Sequence, residues 1–520
     1  MTTTIRPLRL LHDTLLRSAE ATPEKVALVT GERRTTYAEL LDAAVRFANA
    51  VTALGVRRGD RVALYLDNSR DCVVALYGTL LAGAAFVVVN PQTKEDKLEY
   101  ILTDCEARVL VTEGPIAVAG LAAASRAPSV AATLVGERPA GADGGLDLAA
   151  TLADASAHLV DAGTIALDLA ALIYTSGSTG LPKGVMQTHQ SMLFAAESIA
   201  QYLRLADDDT ILGLLPLAFD YGLYQLLMSI RLGATLVLER SFAYPAQILK
   251  RIDTEQVTVF PGVPTVYATL LASHERSPIA APSVRRVTNT AAALLPAMQK
   301  GLTEIFPNAL IFAMYGLTEC KRVSYLEPEL LVEKPSSVGR AIPGTETIVL
   351  GADGNPVAPG ETGTLYVRGP HVMLGYWRKP EQTAEMIVEG PLPGERMLNT
   401  NDLFTVDEDG FLYFVGRTDD IIKTRGEKVS PLEVENVLFA MPGIMEAAVV
   451  GVPDERLGEA IRAFVVAAEG TELTAQDVIN HCRTHIESYM VPRDVVFIDE
   501  MPKTSSGKVR KKSLREPGAE

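Results

Sequence analysis

Segments with helical spacing alternate with short apolar runs along the first third of this chain, and that alternation restricts the fold more than any other feature. Residues 37–54 place Leu, Ala, Val and Phe at helical spacing, and residues 61–66 (RVALYL) then read as a strand. Residues 73–82 read as a helix and Ala85–Val89 as a buried strand. Strands alternating with helices predict a mainly parallel sheet covered on both faces. A second alternating set occupies 211–217, 234–239, 257–262 and 309–316. Between the two sets, residues 114–163 turn rich in Ala, Gly and Pro, and most of that stretch is expected to be surface excursion with little packing. From 339 to 413 short strands with Gly and Pro turns predict a small β-rich unit, and a compact βα segment with a basic tail follows Arg417.

The strongest local signal follows the apolar run 170–174. Thr175, Ser176, Gly177, Ser178, Thr179 and Gly180 are all small; four carry hydroxyls, and Lys183 stands just beyond them. Glycines let a backbone approach a polyphosphate, hydroxyls and exposed N–H groups bind its oxygens, and the lysine adds charge. Gly184 follows Lys183 where the common P-loop has Ser or Thr. Ser176 stands where a GxSxG nucleophile elbow needs its first glycine.

This string resembles the phosphate loop of the adenylate-forming superfamily: acyl-CoA synthetases, adenylation enzymes of nonribosomal peptide synthesis, and firefly-type luciferases. Further motifs occur in the family's order between residues 174 and 508. The run Met314, Tyr315, Gly316, Leu317, Thr318, Glu319 resembles the adenine and magnesium motif. The likeness implies Tyr315 beside adenine, Thr318 on phosphate and Glu319 on Mg²⁺, a hard cation suited to a carboxylate. Asp402 matches the aspartate that takes the ribose hydroxyls, Arg417 the arginine that also reaches the ribose, and Lys508 the lysine that meets the carboxylate and α-phosphate. Asp419 matches the hinge. In a second, thiol-transferring pose the loop 423–428, with Lys423, would replace Lys508, and Gly426 would line the thiol tunnel.

The resemblance implies an α/β fold: a large N-terminal domain (1–416) of two doubly wound sheets with a small β-barrel-like unit (339–416), a hinge at 417–420, and a small mobile α+β lid (421–520). It implies an AMP-forming acid–thiol ligase that uses ATP and Mg²⁺, makes acyl-adenylate and pyrophosphate, and passes the acyl group to a thiol. Thr175, Glu319, Lys423 and Lys508 are the expected catalytic residues.

The acid is read from residues 215–222 (LPLAFDYG), where Phe219 takes the family's gate position and Asp220 follows it. An aspartate at this place in amino-acid adenylation enzymes pairs with the substrate ammonium. A carboxylate in an apolar pocket needs a cation, since leaving it bare costs several kcal/mol. The favoured expectation is therefore an amino acid or amino-bearing aryl acid. The alternative is a non-amino aryl or alicyclic acid, with Asp220 neutralised by Arg322. A fatty acid suits less well a wall expected from Tyr221, Tyr224, Thr288 and Thr290, with Ala291, Met314 and Val323 beside them. A luciferase-like oxygenase and an enzyme activating a non-carboxylate are minor readings.

The formal net charge of −16 argues against a nucleic-acid binder. Cys72, Cys105, Cys320 and Cys482 form no CxxC pair, and no apolar run reaches the roughly 18 residues of a membrane span, so a cytoplasmic protein without a membrane partner is expected. Twelve residues follow Lys508, too few for a carrier domain. The expected acceptor is free coenzyme A or a separate carrier protein, and the expected assembly a monomer or homodimer.

Overall fold

The computed structural model describes residues 8–140, 142–176, 181–290, 294, 296–425, 427–454, 456–468, 470–503 and 509–515. They fall into two compact units, Met1–Glu346 with Val367–Leu398, and Thr347–Tyr366 with Asn399–Glu520.

The first unit is built on two sheets. An eight-stranded sheet runs in the order Gly375–Tyr376, Pro182–Thr188, Leu169–Ser176, Ala85–Val89, Arg61–Tyr65, Ala107–Glu113, Ala132–Gly136, Leu146–Asp147. Its pairs are parallel from Leu169–Ser176 onward, while Pro182–Thr188 and Gly375–Tyr376 add antiparallel. Ala85–Val89 is buried at every position, as a strand covered on both faces requires. The second sheet carries Val26–Thr30, Thr235–Leu238, Thr210–Gly213, Val259–Gly262, Arg286–Asn289 and Leu310–Tyr315 as parallel neighbours. Ser324–Tyr325 and Ser337–Ala341 extend it antiparallel. The two alternating sets of the sequence thus become the two sheets, and the fold class is α/β as expected.

The reading of 114–163 needs correction. Ala117–Arg126 is a helix with Ala117, Gly120, Ala123 and Ala124 buried, and Ala132–Gly136 is a strand of the eight-stranded sheet. Small residues here serve close packing: a Cβ on Gly120 would lie 2.9 Å from the Thr112 hydroxyl. Among the described residues of that stretch, 137–140, 142–145 and 155–163 are mostly exposed irregular chain.

In the second unit, residues 402–406 of the strand Arg396–Val406 pair antiparallel with Leu412–Arg417. A separate five-stranded sheet orders Glu427–Val429, Ile422–Thr424, Gly458–Ala467 and Ile444–Asp454, with Asp494–Phe497 beside Gly458–Ala467. Helices Pro431–Phe439 and Ala475–His485 bury Val434, Leu438, Val478 and Cys482 against one face. Leu514 and Met501 pack with Val450 and Phe464 in a second cluster.

Candidate active site

The two loops that carry the nucleotide motifs are both tips of antiparallel hairpins. Leu169–Ser176 pairs with Pro182–Thr188, opposing Thr175 to Lys183 and Tyr174 to Gly184. Gly177, Ser178, Thr179 and Gly180 lie outside the described residues, as does the side chain of Ser176. Thr188 then caps the helix His189–Tyr202, accepting from Ser191 N while Ser191 Oγ accepts from Thr188 N. The strand after the loop is thereby fixed directly to a buried helix. Lys183 Nζ sits 5.1 Å from the centroid of the Tyr376 ring, a cation–π distance.

The second tip is the turn between Leu310–Tyr315 and Ser324–Tyr325, where Tyr315 opposes Ser324. Cys320 N and Lys321 N donate to Leu317 O, and Val323 N donates to Tyr315 O, which closes the turn. A Cβ on Gly316 would stand 2.3 Å from Lys321 O, so this position admits only glycine. Thr318 O accepts from Gln187 Nε2 at 3.2 Å, and Glu319 O from Met373 N at 2.8 Å. Tyr376 donates its hydroxyl to Glu319 Oε1 at 2.7 Å. Tyr376 therefore meets both Lys183 and Glu319, a link that sequence reading missed. Its one signal is the aromatic pair Tyr376-Trp377, whose Trp is the chain's only one; Trp377 N donates to Gly184 O and Trp377 Nε1 to Asp104 O.

Glu319 offers hard oxygen, and among the described residues no group of three His, Cys, Asp or Glu side chains could hold a metal ion. That donor set fits Mg²⁺ arriving with a triphosphate and keeping waters, rather than an all-protein cage.

The expected acyl wall surrounds the start of helix Asp220–Leu232. Phe219 precedes it as the half-buried N-cap residue, and Asp220 is 7% exposed. Gly222 is required by close approach, since a Cβ would lie 2.4 Å from Pro216 O. Tyr221 donates to Thr288 O at 2.6 Å, and the Arg322 guanidinium lies 4.8 Å from the Tyr221 ring centroid. Tyr202, absent from the sequence reading, donates to Met314 Sδ at 2.9 Å, and Tyr224 reaches Met192 O at 3.4 Å. Thr290 and Val323 are buried, and Ala291 lies outside the described residues.

Burial pushes the Asp220 carboxyl above the usual carboxylate range, and the positive charges of Arg322 and Lys321 oppose that rise. Lys321 is the second residue missed. It is 1% exposed, and its ammonium donates to Gln187 Oε1, to Ser191 Oγ at 3.3 Å and to His371 O at 2.8 Å. Burial lowers its pKa, and Asp220 counters that. Nothing in the string TECKRV separates a buried lysine from an exposed one.

In the second unit, Asp402 and Arg417 are directly opposed in register, with Arg417 Nε 3.4 Å from Asp402 Oδ1. Asp402 is buried and Arg417 exposed. Thr400 Oγ1 accepts from Asp402 N at 3.1 Å and donates to Leu365 O at 2.8 Å, which holds the strand there. Arg417 O accepts from Asp420 N and Ile421 N, making a turn with Asp419 exposed at its third position. Lys423 is exposed, and its N–H donates to Glu459 at 2.7 Å. Lys508 and Gly426 lie outside the described residues. Lys503 and Val509 form an antiparallel bridge on either side of 504–508.

A family model described as AMP-binding enzyme matches residues 15–377, and one described as AMP-binding enzyme C-terminal domain matches 433–508. The chain belongs to the AMP-binding enzyme family. This AMP-binding enzyme is 35% identical over 507 residues to a feruloyl-CoA synthase of Amycolatopsis sp, covering 96% of this chain and 97% of that one. It is similar to the crystal structure of an anthranilate CoA ligase in complex with anthranoyl-AMP, with TM-score 0.90, 30% identity and coverage of 99% and 98%. A benzoate CoA ligase from Burkholderia xenovorans LB400 matches at TM-score 0.88 and 29% identity, covering 98% and 100%. Membership makes the chain an AMP-forming acid–thiol ligase of the acyl-CoA synthetase kind, with a large N-terminal and a small C-terminal domain. An amino-acid substrate is not shown by these relatives and the aryl-CoA ligase reading fits them better, while the anthranilate ligase among them acts on an aryl acid that bears an amino group. No helix among the described residues is long and apolar enough to cross a membrane.

Proposed function

We propose that this chain is an ATP-dependent CoA ligase for an aryl or alicyclic acid without an amino group. One observation carries the choice: the Arg322 guanidinium, buried like Asp220, lies 4.8 Å from the ring of the adjacent Tyr221, and its charge acts on Asp220. A substrate ammonium there would add a second cation to a single carboxylate, and burying uncompensated charge costs several kcal/mol.

In the first half-reaction a carboxylate oxygen bonds to the α-phosphorus of ATP and the bond to the β,γ-diphosphate breaks, leaving acyl-AMP and pyrophosphate. Catalysis of this kind is positioning and electrostatics. Lys183, Thr175 and the 176–180 loop would hold the phosphates, with Thr318 beside them. Tyr315 would lie along adenine, and Asp402 and Arg417 would take the ribose. Lys508 would bridge carboxylate and α-phosphate. Glu319 would hold Mg²⁺, which when bound neutralises phosphate charge. In the second half-reaction the thiol sulfur bonds to the acyl carbon, AMP leaves with the bonding electrons, and the thiol proton passes to solvent. Coenzyme A is the proposed thiol because the relatives are CoA ligases. Asp419 would be the hinge, Lys423 would enter with its loop, and Gly426 would line the thiol path.

The test is ATP–pyrophosphate exchange with benzoate, a hydroxycinnamate, anthranilate and amino acids, on wild type and Asp220→Asn. Non-amino acids should lead, and Asp220→Asn, which keeps the shape of the side chain, should keep that ranking. A selective collapse of activity toward an amino-bearing acid in Asp220→Asn would restore the ammonium-binding reading.

A further inference from the structure

The Glu319 turn is held from outside by one buried amine. Lys321 has φ +66°, a left-handed backbone that non-glycine residues rarely adopt and that persists only where surroundings enforce it. Its ammonium reaches three separate pieces of chain: Gln187 on the strand after the phosphate loop, Ser191 in the first turn of the following helix, and the His371 carbonyl. Gln187 continues the link, because its Nε2 donates to Thr318 O while its Oε1 accepts from Ser191 Oγ at 3.0 Å as well as from Lys321. Two residues beyond His371, Met373 N donates to Glu319 O. Residues 318, 319 and 321 are thus fastened on both sides, by Gln187 and by 371–373. On the far side of the turn Arg322 Nη1 donates to Lys321 O at 2.9 Å, so the acyl wall is tied to the same residue.

We propose that Lys321 is a positioning residue that sets the Glu319 carboxylate and Thr318 for the metal–nucleotide complex by clamping their turn to the phosphate-loop strand. The inference rests on the reading of Glu319 as the Mg²⁺ ligand. A partner that orients a ligand without touching the metal typically governs about 10–100-fold of its affinity.

The experiment measures Mn²⁺ binding by electron paramagnetic resonance with a non-hydrolysable ATP analogue, and AMP binding without metal by calorimetry. Lys321→Met keeps the chain's length and removes the amine. It should weaken Mn²⁺ by roughly 10-fold or more while AMP affinity stays near wild type. Gln187→Leu removes the same link from the strand side, should behave alike, and decides alone if Lys321→Met does not fold. Glu319→Gln supplies the reference. If it weakens Mn²⁺ and the other variants do not, or if they lose AMP and Mn²⁺ equally, the positioning role is overturned. If Glu319→Gln leaves Mn²⁺ binding unchanged, the Glu319 reading falls and this inference with it.

Discussion

Tyr376 shows how much of this site rests on side chains that carry no motif. Its ring meets the Lys183 ammonium and its hydroxyl meets the Glu319 carboxylate, so one residue touches groups from both hairpin tips. Tyr376→Phe keeps the ring and removes the hydroxyl, and the two roles separate. The half-saturating Mg²⁺ concentration for pyrophosphate exchange should rise by about 10-fold, whereas stability should change by only about 1 kcal/mol. Unaltered Mg²⁺ dependence would show that the hydroxyl does not orient Glu319. Sequence reading picked out Thr175, Lys183, Tyr315, Thr318, Glu319, Asp402 and Arg417 because each stands in a motif of fixed spacing. Tyr376 and Lys321 escaped it because their roles arise from partners distant in sequence: Val185 opposite Tyr376 in the sheet, and Gln187, Ser191 and His371 around Lys321. Long-range pairing leaves no local pattern.

At the scale of elements, apolar period and strand length located the sheets well. The Ala- and Gly-rich helix Ala117–Arg126 did not announce itself, because small residues read equally as loop or as tight packing until a neighbour such as Thr112 is known. The strand it lies against ends in a charge with a consequence for stability. Burial pushes the Glu113 carboxyl up to about 7 from 4.5, although Ser69 Oγ and Asp67 N both donate to it. A carboxyl whose folded pKa is raised contributes its stability below the unfolded value and loses it as pH rises through the folded one. Glu113 should therefore make the protein progressively less stable between pH 4.5 and 7. In urea unfolding at pH 5 and pH 7.5, Glu113→Gln should gain on wild type at the higher pH. An equal difference at both pH values would mean that Glu113 is ionised throughout.

At the scale of the molecule, the proposed cycle divides the work between Lys508 for adenylation and the 423–428 loop for thiol transfer, with Asp419 between them. The geometry at Asp419 says what a substitution there does. Arg417 O accepts from Asp420 N and Ile421 N, so residues 417–420 form a turn in which 419 is the third position. Proline is disfavoured there, because its ring pushes the preceding residue, Thr418, out of helical backbone. Thr418 N also donates to Asn401 O, next to Asp402. Asp419→Pro should thus reshape the turn as well as fix one φ angle, and a small loss of adenylation is expected from the disturbed Asp402 strand. The larger loss should fall on the second step: pyrophosphate appears for about one turnover while steady thioester formation drops. Lys508→Ala should do the reverse, losing roughly 100-fold or more in adenylate formation while converting synthetic acyl-AMP and coenzyme A to thioester at a rate closer to wild type. Single-turnover measurements of both half-reactions on both variants decide it. Equal losses in the two half-reactions for each variant would mean that one fixed arrangement serves the whole cycle, and that neither residue belongs to a single step.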